Sequence, residues 1–417
     1  MKQFSLQKRI LFVHFGEDWL RGSEIVLLDL ISAAKQKGHT AILWCNSRVL
    51  SEEAEKLDIT VITEPFACLG YWFFPRWSFA SFISQVKKAI HLIHDFNVDV
   101  VHCNNGAPCQ WLSFACKWTK VPLILHLHAR YQYFDRLMLC FSGADHVVGV
   151  SQSVVDVFSE REVRLASMQV IYNGIDKRRA IDNKPIDLRN LVNAHEQDVV
   201  LLYIGSLIPR KSVALVIEAL GQCSNFKLVV AGDGEEKDNL IALVKSKKLS
   251  QQVLFLGEQK NVAALYSSNA DCFVSVPNEE VFGLTLAEAS LAKLPIITTN
   301  IAGVNEIYQD GVNARLIAPN DLDALIGALD ELKSRPKRYH IFALTAHTHI
   351  STNFNKQSQF EQFDACYNQV IEQRCHDGLS TFLLYHMRCL MQAIIKRGSN
   401  KLAQLITRSF KWMSIQS

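Results

Sequence analysis

Two glutamates that lie eight positions apart have the spacing in this chain that most directly suggests chemistry. Glu280 and Glu288 belong to the run Pro277–Ala289, which follows an apolar strand-like segment (270–276). The spacing places Glu280 in the loop after a strand and Glu288 about one turn inside the next helix. Ligands of open α/β sheets bind at this edge, where a carboxylate can hold a sugar hydroxyl and a helix N-terminus can hold a phosphate. The alternative is a pair of solvated surface glutamates favoured by the helix dipole.

A basic turn in the second half of the chain is the next candidate. The run Gly205–Ser212 follows a predicted strand and contains Ser206 and the adjacent cations Arg210 and Lys211. Two cations at a strand-to-helix turn can bind a diphosphate through charge-assisted hydrogen bonds. A solvated basic turn is the alternative.

The first half contains a glycine turn and a pair of histidines. The run Gly16–Glu24 follows the first predicted strand and opens a helix, so Gly22 would let the backbone approach an anion. The alternative is that Ser23 caps the helix. The turn lacks the Gly-x-Gly-x-x-Gly fingerprint, so nicotinamide binding is not supported. His126 and His128 alternate along a strand and share one face, and a functional role for His128 competes with a structural one.

Composition and length exclude several classes of protein. The chain has 417 residues, of which 49% are hydrophobic and 20% charged, as expected for a globular protein of two or three domains. It contains no convincing membrane span, and Ile10–Phe15 is too short for a signal-peptide core and predicts a buried strand. The 11 cysteines form no Cys-x-x-Cys pair, so we expect them to be reduced and buried, with no metal site.

Short apolar runs alternate with amphipathic segments through most of the chain. The predicted strands are Arg9–Phe15, Thr40–Cys45, Val98–Cys103, Leu123–Leu127, His146–Val150, Gln169–Tyr172, Val199–Ile204, Lys227–Val230, Val253–Leu256, Cys272–Val276, Ile296–Thr298 and Arg315–Ile317. The predicted helices are Glu24–Lys35, Phe79–His94, Gln110–Trp118, Val213–Leu220, Glu235–Lys248, Asn261–Tyr266, Leu284–Lys293, Asp321–Leu332 and Phe354–Gln373. This alternation predicts an α/β fold with parallel sheets and helices on both faces.

A polar stretch with little periodicity, 177–198, interrupts the alternation and predicts a domain boundary. We therefore expect two Rossmann-like, doubly wound domains that face a cleft, followed by C-terminal helices. The predicted boundaries are 1–178 for the first domain, 179–198 for a linker, 199–353 for the second domain, 354–375 for a helix returning toward the first domain, and 376–417 for a tail.

The tail differs from the rest of the chain in charge. Between Arg374 and Ser417 there are seven Lys or Arg residues and one acidic residue. Apolar residues recur at helical spacing from Leu379 to Trp412, and a basic amphipathic helix is typical of binding to an anionic membrane surface. The alternative is a terminal helix packed on the first domain. Nucleic-acid binding is disfavoured, because the basic excess is confined to the tail.

Several of these segments together resemble glycosyltransferase family 4, the retaining enzymes of the GT-B fold. The resemblance covers roughly residues 8 to 375. It is carried by Val170–Asp176, which is similar to the hinge run of the family, by Leu201–Leu220, and above all by the Glu-x7-Glu run Pro277–Ala289. Other residues in family register are Gly303, Glu306, Asp310, Gly311, Asn313 and Asp321.

The resemblance implies roles for individual residues. Lys211 would bind the donor diphosphate, Glu288 the ribose hydroxyls, and Glu280 the donor sugar together with the backbone of Phe282, Gly283 and Leu284. Gly22 would line the phosphate site and His128 would lie by the reacting centre. The family generally works without a divalent metal, and no other cofactor is implied. Ser206 stands where the family usually has an arginine beside the diphosphate, and Arg210 would compensate from the other side of the turn.

The function that follows is a retaining glycosyltransferase that moves a sugar from a nucleotide-diphosphate sugar to a glycan or lipid-linked acceptor in cell-surface polysaccharide biosynthesis. We expect a cytoplasmic protein, with a peripheral position on the inner face of the membrane if the tail binds lipid. The alternatives are another GT-B catalyst, such as an epimerase or phosphorylase, and a non-catalytic nucleotide-sugar-binding protein, which Ser206 motivates.

Overall fold

The computed structural model of the protein describes residues 7–70, 78–158, 167–373 and 378–391. These residues fold into two compact units. The first contains the described residues within Met1–Gly149, Val154–Val170 and Gln362–Ser417, and the second contains Val150–Ser153 and Ile171–Glu361. None of the described helices is long and apolar enough to cross a membrane.

The first unit is built on a parallel sheet of seven strands, in the order β3-β2-β1-β4-β5-β6-β7. Its strands are β1 (Arg9–His14), β2 (Thr40–Cys45), β3 (Thr60–Thr63), β4 (Val100–Asn104), β5 (Leu123–Leu127), β6 (His146–Gly149) and β7 (Ser167–Val170). The central strands β4 and β5 are buried at every residue, which explains their nearly continuous apolar runs, because helices cover both faces of a parallel sheet.

The second unit repeats this plan with a parallel sheet of six strands, in the order β10-β9-β8-β11-β12-β13. Its strands are β8 (Val199–Ile204), β9 (Phe226–Ala231), β10 (Val253–Gly257), β11 (Cys272–Ser275), β12 (Ile296–Thr299) and β13 (Arg315–Ile317). One hydrophobic core joins its sheet to the flanking helices, with Tyr203, Phe226 and Tyr339 among the fully buried side chains.

The helices alternate with these strands along the chain. They are α1 (Gly22–Gln36), α2 (Arg48–Glu55), α3 (Phe79–Asp95), α4 (Cys109–Thr119), α5 (Tyr133–Met138), α6 (Gln152–Val155), α7 (Leu188–Leu191), α8 (Val213–Leu220), α9 (Lys237–Ser246), α10 (Val262–Tyr266), α11 (Leu284–Leu291), α12 (Leu322–Ser334), α13 (Pro336–Asn353) and α14 (Lys356–Gln373). Residues 379–391 are also helical.

The prediction of two parallel α/β sheets with C-terminal helices is confirmed. The expected buried cysteines are confirmed for the ten described ones, all of which are free and buried, whereas Cys375 lies outside the described residues. Residues 376–377 and 392–417 of the predicted tail also lie outside them.

The C-terminal part of α14 is held in the first unit by one buried carboxylate. Asp364 accepts hydrogen bonds from Lys8 Nζ at 2.7 Å and Lys37 Nζ at 2.6 Å, and His39 Nε2 lies 3.0 Å away. The side chains of Lys8 and Asp364 are only 4% and 5% exposed. A buried cation of this kind requires its anionic partner, since an unpaired charge is costly inside a protein.

Candidate active site

Both sheets have a topological switch point, where the strand order reverses direction. In the first sheet it lies between β1 and β4, and in the second between β8 and β11. Ligands of open α/β sheets bind outside the carboxyl ends of the strands at such points. The residues that follow these four strands are therefore the candidates for a functional site.

Polar side chains converge at the switch point of the first sheet. His14 ends β1, Asn104 ends β4, and the two residues are direct neighbours in the strand register. His128 follows β5, and its Nε2 lies 2.8 Å from Oδ1 of Asn104. Burial lowers the pKa of His128 to about 3, and His14 acts in the same direction. His128 is thus a neutral, half-buried imidazole near neutral pH.

A buried carboxylate extends this group. Glu24, the third residue of α1, has Oε1 at 2.9 Å from Nε2 of His14, and its Oε2 accepts the backbone N–H of Arg21 at 3.0 Å. Burial raises the pKa of Glu24, but the contact with His14 outweighs burial and leaves the pKa at about 2. Glu24 is therefore an anion although only 3% of it is exposed.

The glycine turn before α1 has a structural use that the sequence did not suggest. A Cβ atom at Gly16 would lie 2.6 Å from Nε2 of His14 and 3.0 Å from Oε1 of Glu24, so a side chain here would displace the pair. Gly22 is the first residue of α1. The alternative in which Ser23 caps the helix is wrong, because Arg21 occupies the N-cap position and Glu24 accepts its N–H as in a capping box.

The other two histidines of this edge are part of the core. His126 and His128 share one face as predicted, with ring centroids 4.1 Å apart. His102 lies 3.3 Å from His126 between ring nitrogens and 2.8 Å from the hydroxyl of Tyr367. Both His102 and His126 are fully buried, so we assign them a structural role.

At the second switch point, the loops after β8 and β11 are tied together by three polar contacts. Lys211 Nζ lies 2.5 Å from Oε2 of Glu280. The guanidinium of Arg210 donates to the carbonyl of Glu279 at 3.1 Å, and the backbone N–H of Asn278 donates to the carbonyl of Arg210 at 2.8 Å. Lys211, Arg210 and Glu280, which were identified separately in the sequence, are thus brought together.

The pair of Lys211 and Glu280 is mostly shielded from solvent, with side-chain exposures of 14% and 13%. Burial raises the pKa of Glu280, but the charge and hydrogen bond of Lys211 outweigh burial and leave the pKa below its ordinary value. Glu280 is therefore an anion near neutral pH. A buried ammonium and carboxylate at this edge can bind an anion and a hydroxyl group side by side.

The backbone between Glu280 and α11 makes a sharp turn. Phe282 is 2% exposed and packs its ring near Tyr172 and Phe354, which anchors the turn. Gly283 has φ +83° and precedes Leu284, the first residue of α11. Helix starts leave N–H groups without intrahelical partners, which suits this turn to an anion.

A second glycine allows that turn to sit where it does. Gly303 has φ +90°, and a Cβ atom there would lie 2.5 Å from the carbonyl oxygen of Glu280 and 2.6 Å from that of Val281. The backbone of Gly303 therefore supports the loop that carries Glu280 by direct approach.

Glu288 lies inside α11 as the spacing predicted and is 3% exposed. Its Oε1 accepts from Nε of Arg179 at 2.8 Å and its Oε2 from the hydroxyl of Tyr266 at 3.0 Å. The solvated-pair alternative is wrong for both glutamates, because each is shielded and paired. Nothing in the sequence singles out Arg179 or Tyr266 as partners of Glu288, because they lie 109 and 22 positions from it along the chain.

Ser206 lies in the same turn as Lys211 and is half-buried. Its carbonyl accepts from the hydroxyl of Tyr203 at 2.9 Å. The turn that contains Gly232 packs tightly against the residue before Ser206, since a Cβ atom at Gly232 would lie 1.9 Å from the carbonyl oxygen of Gly205. Arg210 is exposed at the rim of the turn.

Glu306 fixes a segment that the sequence did not connect with it. Its carboxylate accepts the backbone N–H groups of Gln152 at 2.7 Å and Ser153 at 2.8 Å, and the hydroxyl of Tyr172 at 3.2 Å. All four residues belong to the second unit.

Within the described residues, no group of three or more His, Cys, Asp or Glu side chains is arranged to hold a metal ion.

Two family models match consecutive parts of the chain. Residues 20–179 match Glycosyltransferase Family 4, and residues 187–348 match Glycosyl transferases group 1. The chain belongs to the group 1 glycosyltransferases. The match to the second model contains Lys211, Glu280 and Glu288, and the match to the first contains Gly22 and His128.

Several known proteins are similar to this glycosyltransferase. It is 24% identical over 303 residues to N-acetyl-alpha-D-glucosaminyl L-malate synthase of Bacillus anthracis, covering 69% of this chain and 79% of that protein. It is 31% identical over 227 residues to the O-antigen biosynthesis glycosyltransferase WclY of Escherichia coli, covering 54% of this chain and 58% of that protein. The crystal structure of HepE from Anabaena in complex with UDP and glucose has a TM-score of 0.75 at 22% identity, covering 87% of this chain and 100% of that chain, which supports the shared fold.

Proposed function

We propose that this glycosyltransferase moves a hexosyl group from a nucleotide-diphosphate sugar to a glycan or lipid-linked acceptor, with retention at the anomeric carbon, in the synthesis of a cell-surface polysaccharide. The observation that carries the proposal is the shielded pair of Lys211 and Glu280 at the switch point of the second sheet. The substrate class is supported by relatives, since one solved structure contains UDP and glucose and one relative is named for O-antigen biosynthesis.

In this proposal Lys211 binds the donor diphosphate. A lysine ammonium has three N–H donors, and Glu280 accepts one of them, so the others are directed to phosphate oxygens. The N–H groups of Phe282, Gly283 and Leu284 at the start of α11 add a second set of donors with the favourable end of the helix dipole. Arg210 supplies the second cation for the diphosphate, because Ser206 stands where the family usually has an arginine. The site works without a divalent metal or another cofactor.

The two glutamates hold the hydroxyl groups of the donor. Glu280 accepts from the transferred sugar, and Glu288 accepts from the ribose. Arg179 and Tyr266 already contact Glu288, but each carboxylate oxygen has two lone pairs, so both can accept a ribose hydroxyl as well. The existing contacts then orient the carboxylate before the donor binds.

From the first unit we propose Gly22 as a backbone contact for phosphate and His128 as a contact at the reacting centre. We propose 1–178 as the acceptor-binding domain, 179–198 as a linker and 199–353 as the nucleotide-sugar-binding domain. The departing phosphate takes the proton of the acceptor hydroxyl on the same face of the sugar. Lowering the barrier is then mainly a matter of fixed charges that stabilise the growing negative charge of the diphosphate.

The function is tested first by binding and then by product. A nucleotide sugar present at 100 times its dissociation constant should stabilise the protein by about 2.7 kcal/mol, which a thermal-shift screen of nucleotide sugars with different bases and sugars detects. Incubation with the best donor and an acceptor should give a glycoside of unchanged anomeric configuration, with or without EDTA. An altered sugar nucleotide formed without acceptor would indicate an epimerase, and binding without turnover would indicate a non-catalytic protein.

We also propose that the C-terminal region docks this glycosyltransferase on the cytoplasmic face of an anionic membrane. The described helix of residues 379–391 packs one face on the first unit, through Phe382 against Phe114 and Cys389 against Leu137. Its other face exposes Leu384 and Met387, which are 74% and 54% accessible. Basic and apolar groups together are typical of binding at the membrane surface.

Vesicle pelleting tests the membrane proposal. The double substitution Leu384→Glu with Met387→Glu should reduce binding to vesicles that contain anionic lipid, because it places two anions on the face proposed to meet the lipid. Leu191→Glu, at an apolar side chain of the second unit with 49% exposure, is the control and should bind like the wild type. Equal pelleting of all three proteins contradicts the proposal.

A further inference from the structure

We propose that Glu24, His14 and Asn104 form a relay of hydrogen bonds that holds His128 with its proton on Nε2, so that Nδ1 is presented to a substrate as a hydrogen-bond acceptor. The three relay residues are positioning residues, and His128 is the group that touches the ligand. The tautomer follows from the geometry, whereas the identity of the ligand as a sugar hydroxyl rests on the proposed function.

The orientation of the Asn104 side chain sets the direction of the relay. Its Nδ2 lies 3.3 Å from the backbone carbonyl of Ser23 and 2.9 Å from Nδ1 of His14. A carbonyl oxygen only accepts hydrogen bonds, so Ser23 favours the amide nitrogen on that side. Oδ1 of Asn104 then faces Nε2 of His128 at 2.8 Å, and an oxygen in this position requires a proton on Nε2.

The buried carboxylate gives the same direction from the other end. The anion Glu24 accepts from Nε2–H of His14 at 2.9 Å, and Nδ2 of Asn104, which can only donate, lies 2.9 Å from Nδ1 of His14, so Nδ1 is the acceptor of that contact. His14 Nδ1 also lies 3.2 Å from the backbone carbonyl of Asn104. A doubly protonated His14 would use that carbonyl and turn the Asn104 amide, which would bring its Oδ1 toward the carbonyl of Ser23.

His128, which the relay holds, carries one proton. The low pKa of His128 keeps its ring neutral, and a neutral imidazole has one N–H and one acceptor nitrogen. Because Nε2 holds the proton, Nδ1 is the acceptor, and among the described residues it has no hydrogen-bond partner. The ring of His126, 4.1 Å away between centroids, supports the orientation of His128.

The surroundings of the relay are built to keep it in place. His14 and Asn104 are fully buried, and Gly16 leaves room for the contact between His14 and Glu24. Asn46 holds Gly16 from both sides, accepting its N–H at 2.9 Å and donating to its carbonyl at 2.7 Å. A buried network of hydrogen bonds that is held in this way is rigid and has a defined direction.

Nitrogen-15 NMR of the full chain, labelled on histidine, tests the tautomer without reference to activity. At pH 7.5 we expect His128, assigned by the loss of its signals in His128→Asn, to show a protonated Nε2 and an unprotonated Nδ1. A protonated Nδ1 overturns the proposal.

Glu24→Gln tests whether the relay transmits its direction. A glutamine has one carbonyl oxygen, and the backbone N–H of Arg21 needs it, so the amide nitrogen faces His14 and reverses each donor along the relay. We expect the proton of His128 to move to Nδ1 in this variant and to stay on Nε2 in Glu55→Gln, whose glutamate is exposed on α2. An unchanged tautomer in Glu24→Gln overturns the relay.

Turnover separates this proposal from the proposed function. If a donor and acceptor are identified, Glu24→Gln should lower kcat at least about tenfold while the melting temperature stays close to that of Glu55→Gln. The expected tautomers without any sugar transfer would contradict the proposed function and leave the relay standing. If Glu24→Gln reverses the tautomer of His128 but transfers sugar at the wild-type rate, the relay has no role in positioning His128 for transfer.

Discussion

Replacing Lys211 by glutamine is expected to lower kcat/KM for sugar transfer by about 10²- to 10³-fold, the usual cost of losing one preorganised charge contact in a transition state. Lys211 is the shielded cation of the second switch point, and the diphosphate gains negative charge as the glycosidic bond breaks. Its loss should therefore reduce kcat more than it raises KM for the donor. Steady-state kinetics with the donor found by thermal shift measures both constants.

The same substitution leaves Glu280 shielded and without its cation, which is destabilising on its own. The double variant Lys211→Gln with Glu280→Gln separates the two effects, because two neutral amides can hydrogen-bond to one another. We expect its melting temperature to return toward the wild-type value while transfer stays low. Lys227→Gln, at a half-buried lysine whose ammonium contacts only a backbone carbonyl in the described structure, is the control. Recovery of transfer in the double variant would mean that the pair is structural.

The sheets were predictable because strands that are buried on both faces have nearly continuous apolar sequences. β2, β5, β8 and β13 were predicted with the observed bounds, and α8 was as well. The edge strand β3 was missed, since its four residues begin and end with threonine and its burial is partial. Helix α13 was missed for a related reason: its 18 residues have a nearly even mixture of polar and apolar positions, and only five are buried.

The candidate site was predictable where the residues that meet are close in the chain or belong to one motif. Glu280, Lys211 and Glu288 were found through the turns that carry them. Their partners Arg179 and Tyr266 were not, because a long-range contact leaves no periodic signal in one sequence.

The relay was missed because its contacts are also long-range. His14 and Asn104 are 90 residues apart and each ends an apolar run, where a polar residue reads as the boundary of a strand. Their contact depends on β1 and β4 being neighbours, and that pairing is a property of the topology. The switch point thus creates a polar network from residues that are unremarkable one by one.

The three contacts made by Asp364 also cross large distances in the chain, and they suggest the largest stability effect of any single substitution outside the site. Asp364→Asn is expected to lower the free energy of unfolding by about 3–5 kcal/mol, the usual cost of leaving a buried ion without its partner. The ion is Lys8, which is 4% exposed. Urea unfolding followed by fluorescence measures the change in the transition of the first unit.

Two variants control this result. Glu372→Gln removes an exposed charge from the same helix and should change stability by less than about 0.5 kcal/mol. Lys8→Met added to Asp364→Asn removes the stranded cation and should restore part of the loss. A cost below about 1 kcal/mol for Asp364→Asn would mean that the buried carboxylate contributes no more than a surface ion pair.

The dependence on pH follows from the same group. Burial raises the pKa of Asp364, but Lys37 and Lys8 outweigh burial and leave the pKa at about 2, below the ordinary value of 3.8. A carboxyl whose pKa is lowered by folding contributes its full stability above the unfolded value and loses it as the pH falls toward the folded value. The wild type should therefore lose about 2 kcal/mol through this group between pH 4 and pH 2, and Asp364→Asn should lack that part of the acid dependence. Parallel acid-unfolding curves for the two proteins would show that the stabilising charge lies elsewhere.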